Sequence, residues 1–421
     1  MNMAGKLSPA RCALQKLKNV WFWVFLAVFS ALSVFLFYNQ AFAPYTGKYF
    51  SDMDQHLTWA CYLDSFLNIP SQAKTYPLFH LTVRAFSVFF DTEMSGALAT
   101  ASYNALTAVL IYLILCEALN GRKLKRRLLG AERDLSSFVL AALTFVLLIC
   151  SMIILPVNEL FGGEWHAYLG SFTPNPWHNP TNMVSRPFAI VCMYLFSRLA
   201  GLSDKYFKAA PLIVFSLSLA LCTFAKPSFA MAFLPVAGIM LLIKLFSGQW
   251  KRTLIFGLCF IPTFALLIWQ YVLVFAGQTE SVEIWGGGMS VDFGAEWSRF
   301  SSCVPLSILL GGAFGIITLV FSVKGFSRRP DFYKLSVYVY FASLIEALTL
   351  RIGNDSLRNG DIMWGYMFGL FFLFLASAAL LLKEGEGFKK WQRLACWSFL
   401  ALHTVCGIWY FAWVLAGNFY Q

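Results

Sequence analysis

Apolar stretches long enough to cross a bilayer recur along this chain with only short gaps between them. They lie at about 19–38, 96–119, 136–156, 184–200, 210–225, 228–246, 253–276, 304–323, 334–350, 362–382 and 394–416, about eleven in all. Backbone N–H and C=O groups find no water in hydrocarbon, so a chain patterned this way must satisfy them internally, as helices packed side by side. The expected fold class is all-α: a polytopic transmembrane helical bundle. With 59% hydrophobic and only 13% charged residues, and a mean hydropathy of +0.65, the 421 residues carry too little polar surface for a soluble domain. No internal repeat or low-complexity segment divides them, so residues 1–421 read as one transmembrane domain with no separate soluble domain.

Charge placement supplies an orientation. The net charge of +11 could mean nucleic acid, but the basic residues form short clusters between apolar runs rather than an aromatic-interleaved patch, which excludes a nucleic-acid partner. Arg122 to Arg127, Lys205 with Lys208, Lys251-Arg252, Lys324 with Arg328-Arg329, and Lys389-Lys390 with Arg393 are expected to face the cytoplasm. All do so if the N-terminus is inside and the shorter run Tyr76–Phe90, which contains His80 and Arg84, is re-entrant or interfacial. The first run, from Val20 to Tyr38 before Ala41-Phe42-Ala43, looks like a secretory signal but is too long for one, and is read as an uncleaved span. The ten cysteines include no CxxC pair and mostly sit in apolar runs, so neither a disulfide framework nor a zinc site is expected.

In this orientation the loops 39–95, 157–183, 277–303 and 351–361 share the outer face with His56, His80, His166 and His178. Ser51-Asp52-Met53-Asp54-Gln55-His56 is the densest cluster. Ser51-x-x-Asp54 fits a capping box, and Met53, Leu57, Ala60, Cys61 and Leu67 predict an amphipathic helix over 52–67 lying on the membrane surface. Asp52 and His56 fall on one face of it and Asp54 on nearly the opposite one, which makes Asp52 the stronger candidate for a general base. Asp54 has an equally good structural role as a helix-start carboxylate. Tyr76-Pro77-Leu78-Phe79-His80 follows, with Pro77 suited to a first helical turn and His80 either interfacial or a ligand group. The proline-rich stretch Pro174-Asn175-Pro176-Trp177-His178-Asn179-Pro180, with Arg186 beyond it, offers aromatic faces, amides and imidazoles that suit a sugar-like ligand, or else an ordinary interfacial aromatic belt.

Arg84, Arg186, Lys226, Arg351 and Arg358 lie on or near the outer face, where basic side chains want an anionic partner such as a lipid phosphate, or snorkel to headgroups. Glu346, inside a run, is expected to pair with Arg351. Beside it Arg358-Asn359-Gly360-Asp361 and Trp364-Gly365-Tyr366 make a dense polar turn. No Gly-rich nucleotide cradle, HExxH or GxSxG is present, which argues against an ATPase, a membrane zinc protease or a serine hydrolase.

The order of these elements resembles the GT-C class of integral-membrane glycosyltransferases. In that class a first span precedes a long outer loop with an acidic motif, a short Pro-containing apolar segment and many further spans. Ser51 to His56 and Tyr76 to His80 match the two motifs. The resemblance implies inverting transfer of a sugar from a polyprenyl-phosphate-linked donor to an acceptor glycan, lipid or protein. It implies Asp52, then Asp54, as base or acceptor-positioning group, and Arg351, Arg358 and Lys226 holding the donor phosphate. His56, Tyr76, His80, Trp177, His178, Asn179, Arg186, Asn359 and Asp361 would line the substrate site. A divalent metal ion serves some members of the class, and no clean ligand set stands out here. Membrane lipids and the lipid-linked sugar are the expected partners, and the compact loops fit a bacterial plasma membrane. The competing readings are a flippase for lipid-linked glycans, which would need polar residues spread through mid-membrane, a glycan polymerase, and a membrane acyltransferase.

A reporter fused after Gly121 is expected to read as cytoplasmic. An external signal there would make 76–90 a full span.

Overall fold

A computed structural model describes residues 17–63, 75–120, 125–128, 131–162, 171–203, 205–273, 289–352 and 360–418. The chain runs through α1 (Val20–Ala41), α2 (Met53–Cys61), α3 (Pro77–Phe86) and α4 (Thr92–Leu119), then a strand pair, β1 (Lys125–Leu128) and β2 (Ala131–Asp134). Next come α5 (Ser136–Ile149), α6 (Pro180–Leu199), α7 (Ala209–Ala225), α8 (Ser228–Phe246), α9 (Trp250–Leu258) and α10 (Ile261–Tyr271). Then follow β3 (Met289–Val291), α11 (Val304–Ser322), α12 (Asp331–Thr349), β4 (Leu350–Ile352), α13 (Met363–Glu384) and α14 (Lys390–Leu415). β1 and β2 pair antiparallel, as do β3 and β4 across the intervening helices.

Every apolar run carries helix, and the protein is an all-α, multi-pass membrane protein. Among the described residues six helices are long and apolar enough to cross a membrane: α1, α4, α8, α11, α13 and α14. A seventh candidate is the pair α9 and α10, bent by 44°. The bend has a local cause, because Pro262 lacks an N–H and its ring excludes the carbonyl four residues back, on Leu258, where α9 stops. α3, with ten residues, is about 15 Å long, half the hydrocarbon thickness.

Helix starts follow their side chains. Asn19 accepts the Trp21 N–H at the start of α1, and Asp91 accepts the Met94 N–H at 2.7 Å at the start of α4. α13 is buried along its whole apolar window, which explains why its sequence is hydrophobic all round rather than striped. Small residues let its neighbours approach: at Gly369 an added Cβ would lie 3.1 Å from Tyr340 Cα of α12.

Three expectations differ from the structure. The run 136–156 is not one helix, since α5 ends at Ile149 and the chain continues extended. The extended backbone is satisfied by other helices: Ser151 N–H bonds to His403 O at 3.1 Å and Ile153 N–H to Leu310 O at 2.9 Å. A carbonyl can only accept, so His403 Nδ1 donates to Ser151 O at 2.6 Å, and its Nε2 accepts the Phe314 N–H at 3.3 Å. Non-helical backbone at this depth persists because protein, not lipid, surrounds it.

The capping box is also absent. Ser51 Oγ accepts the Met53 N–H at 3.1 Å, one residue earlier than expected, and Asp52 occupies the N-cap position with its carboxylate turned elsewhere. α2 does not lie open on a surface either, for Met53, His56, Leu57 and Ala60 are buried against α1, α3 and α4.

The close approach of α14 to residues 149–150 depends on Gly407, where a Cβ would fall 2.1 Å from Ile149 O and 2.7 Å from Cys150 Cα. Neither backbone atom can swing aside, so Gly407→Ala is expected to destabilise by about 3 kcal/mol. Gly238→Ala in α8 meets nothing within 4 Å and should be neutral or slightly stabilising, by up to ~1 kcal/mol. Thermal unfolding in detergent checks the pair; equal effects would contradict the packing.

Candidate active site

The site is assembled where α2, α3, the start of α6, the turn between α7 and α8, and the start of α13 meet. Asp52 is held twice by the segment that precedes α6. Its backbone N–H donates to His178 O at 2.9 Å, and its Oδ2 accepts from Asn179 Nδ2 at 2.6 Å. Asn179 is in turn the N-cap of α6, where its Oδ1 accepts the Asn182 N–H at 2.9 Å and Pro180 opens the first turn.

Lys226 lies on the other side of Asn179. Its position is set by the extended turn Lys226-Pro227 between α7 and α8. The side chain is 5% exposed, and Nζ makes long contacts to Asn179 Oδ1 (3.4 Å) and Thr181 Oγ1 (3.5 Å). It sits over the rings of Trp364, 4.3 Å from the centroid, and Tyr76, at 5.7 Å. Among the described residues no carboxylate comes within 4.0 Å of it. Asp52 and Asp361 act on it from farther away. Asp361 accepts from Trp364 Nε1 at 3.3 Å, so the i,i+3 spacing on one turn fixes both the carboxylate and the ring.

Beneath Asp52, His56 Nδ1 and His80 Nε2 meet at 3.1 Å, with Trp59 edge-on to both rings. One imidazole donates and the other accepts. Burial, then His80 and Lys226, hold His56 well below its ordinary 6.5, so it is neutral at pH 7. Burial pushes Asp52 up, while the Asn179 bond and Lys226 oppose the shift and Asp54 adds to it. Burial pushes Asp361 up to about 6 from an ordinary 3.8, opposed by Lys226 and reinforced by Asp52. Burial also pulls Lys226 below its usual 10.5, with Asp361 and Asp52 opposing, and raises Tyr76.

The structure thus brings together Asp52, His56, Tyr76, His80, His178, Asn179, Lys226 and Asp361; the His178 ring lies 5.3 Å from that of Trp364. Other expected residues are placed elsewhere. Trp177 is 1% exposed and packs its ring on Phe29 and Phe411. Arg186 is equally interior: it donates to Asn175 Oδ1 and Pro174 O, both at 3.0 Å, and lies over Phe371. These two shape the proline-rich segment from within.

Asp54 stays half-buried on the far side of α2, where its carbonyl accepts from Thr58. Arg351 is not the partner of Glu346. It stands on β4 opposite Ser290 and pairs with Asp292 at 3.4 Å, because the β3–β4 ladder carries it to the loop before α11. Glu346 Oε2 has no hydrogen bond and rests against Gly365, near Ser228 O. Arg358, Asn359 and His166 lie outside the described residues. Among the described residues no three His, Cys, Asp or Glu side chains converge as metal ligands would.

Thr181 and Trp364, which the sequence places in polar segments, were not expected among the site residues. Both had a signal, Thr181 two residues after an N-cap Asn-Pro and Trp364 three after Asp361. Chemically, the arrangement presents one carboxylate with an oxygen left over and one buried cation with no carboxylate in contact among the described residues, walled by aromatic rings. No family model, no curated protein and no solved structure matches the chain.

Asp361 gives a pH signature. Its pKa is higher folded than unfolded, so between about pH 4 and 6 the unfolded chain has lost the proton that the folded one keeps, and stability falls as pH rises. Asp361→Asn removes that penalty. Its thermal stability relative to the unsubstituted protein is expected to rise from pH 4 to 6 and level off above; the opposite slope would mean that Lys226 stabilises the anion outright.

Proposed function

We propose that this chain is a membrane glycosyltransferase of the GT-C type, moving a sugar from a polyprenyl-phosphate-linked donor to an acceptor hydroxyl at the outer face of a plasma membrane. The observation that supports it is the pairing of Asp52 and Lys226 on opposite ends of one amide, Asn179. The donor brings its own leaving group, so the protein must supply a base, a cation for the phosphate and a shaped pocket.

The acceptor hydroxyl gives its proton to Asp52 as its oxygen attacks the anomeric carbon. The bond from that carbon to the phosphate oxygen breaks from the opposite face, the configuration inverts and polyprenyl phosphate leaves. Lys226, with no carboxylate in contact, meets the negative charge that grows on the phosphate. A base whose pKa is lifted by burial is a better proton acceptor than a free carboxylate. Arg351 is already engaged by Asp292, so of the expected phosphate cations among the described residues Lys226 is the one in the cluster. In this reading about eleven spans alternate across the membrane, with the N-terminus and the basic loops in the cytoplasm.

Asp52→Asn should lower turnover by roughly 10²- to 10⁴-fold with the protein still folded, whereas Asp54→Asn should cost little. The assay is transfer from lipid-linked sugar by purified protein, alongside mass spectrometry of surface glycans and lipid-linked intermediates in cells with and without the protein. Near-normal turnover by Asp52→Asn would remove the base. Accumulation of a complete lipid-linked unit would point instead to a flippase or polymerase.

A further inference from the structure

We infer that Asn179 is a positioning residue for Asp52 rather than a substrate ligand: it occupies one carboxylate oxygen and leaves the other, Oδ1, as the atom that takes the acceptor proton. The inference rests on the glycosyltransferase reading only in its last clause.

The orientation of the amide is determined by its neighbours. Asn179 Oδ1 receives Thr181 Oγ1–H at 2.7 Å, the Asn182 N–H at 2.9 Å and the Lys226 ammonium at 3.4 Å. The backbone N–H and the ammonium can only donate, so the oxygen must face them and the NH₂ must face Asp52. The resulting Nδ2···Oδ2 distance is 2.6 Å, a close donor–acceptor contact. Among the described residues Asp52 Oδ1 makes no hydrogen bond. With the Asp52 N–H also tied to His178 O, both the backbone and one carboxylate oxygen of Asp52 are anchored to the start of α6.

The residue type is set by the two tasks together. Ser, Thr and Asp cap helices as well as Asn, but only Asn caps with its oxygen and has an N–H left to donate. Its oxygen is filled by three donors and one of its two amide hydrogens is spent on Asp52, so its effect passes through Asp52. Among the described residues the other ionisable groups of the cluster are Asp54 and His56 on α2, Tyr76 and His80 at α3, His178 before α6, Lys226 between α7 and α8, and Asp361 before α13. A donor bond to Oδ2 favours the carboxylate over the acid, so its loss raises the pKa of Asp52 further.

Asn179→Ser separates the tasks, since the hydroxyl can still cap α6 but cannot reach Asp52 as the amide does. Thermal unfolding against pH, in detergent, is compared for the unsubstituted protein, Asn179→Ser, Asp52→Asn and the double variant. The penalty of Asn179→Ser is expected to be small at pH 4 and to grow as pH rises and Asp52 ionises. In the Asp52→Asn background it should not vary with pH. A penalty that is the same at every pH in both backgrounds would reduce Asn179 to a helix cap and overturn the inference.

In the transfer assay, the acid limb of the kcat/KM profile should move up by about one pH unit in Asn179→Ser, with kcat lowered and KM for the lipid-linked donor unchanged. A raised KM with unchanged kcat would make Asn179 a substrate ligand and overturn the inference by the other route. If Asp52→Asn turns over normally while the pH-dependent penalty persists, the contact stands and the glycosyltransferase base is what fails.

Discussion

Every backbone polar group in an apolar medium must find a partner within the protein, and the architecture follows from that requirement. Where the chain is helical the partner is four residues away. Where it is not, as at 150–156, the partners come from Leu310 and His403 on two other helices. His403, which reads in the sequence as one imidazole in an apolar run, has both ring nitrogens engaged, so that it bridges α14, α11 and the extended segment. Gly407 is the steric counterpart: the extended segment can lie against α14 only where that helix has no side chain.

The same requirement places the chemistry. Polar loops gather at the ends of the bundle, and at one end two short helices, α2 and α3, are tucked against longer ones instead of crossing. They carry Asp52, His56 and His80 to the start of α6 and the α7–α8 turn. Arg186 and Trp177, interior to the proline-rich segment, hold its shape so that His178 O and Asn179 meet Asp52. The cluster is an extension of the helix caps: Asn179 and Pro180 start a helix, and the same amide fastens a carboxylate.

The sequence made several of these parts legible, for identifiable reasons. Helical periodicity separated Asp52 from Asp54, and the structure turns Asp52 toward Asn179 while Asp54 stays on the far side of α2. The polar type of Asn179, His178 and Lys226 marked them against an apolar background. Their roles were less legible, because a role depends on which partner arrives. Asn179 reads as a sugar ligand in isolation, but three donors and a carboxylate surround it. Arg186 reads as an outer cation seeking phosphate, yet its guanidinium is taken by Asn175 and Pro174. Arg351, close to Glu346 in sequence, is carried away by strand pairing to Asp292.

Taken alone, the sequence determined the all-α, multi-pass class and the alternation of apolar runs with basic and polar loops, since these depend on transfer of side chains from water and on local backbone bonding. The caps at Asn19, Asp91 and Asn179 emerged only with the structure, and the one cap read from the sequence, at Ser51 and Asp54, did not form. Tertiary structure decided which residues separated by 24 to 135 positions meet: His56 with His80, Asp52 with Asn179, and Asp361 near enough to Lys226 to feel its charge. No periodicity encodes those meetings. They follow from how rigid helices pack, and it is that packing which, among the described residues, leaves Asp52 one oxygen and Lys226 without a carboxylate in contact.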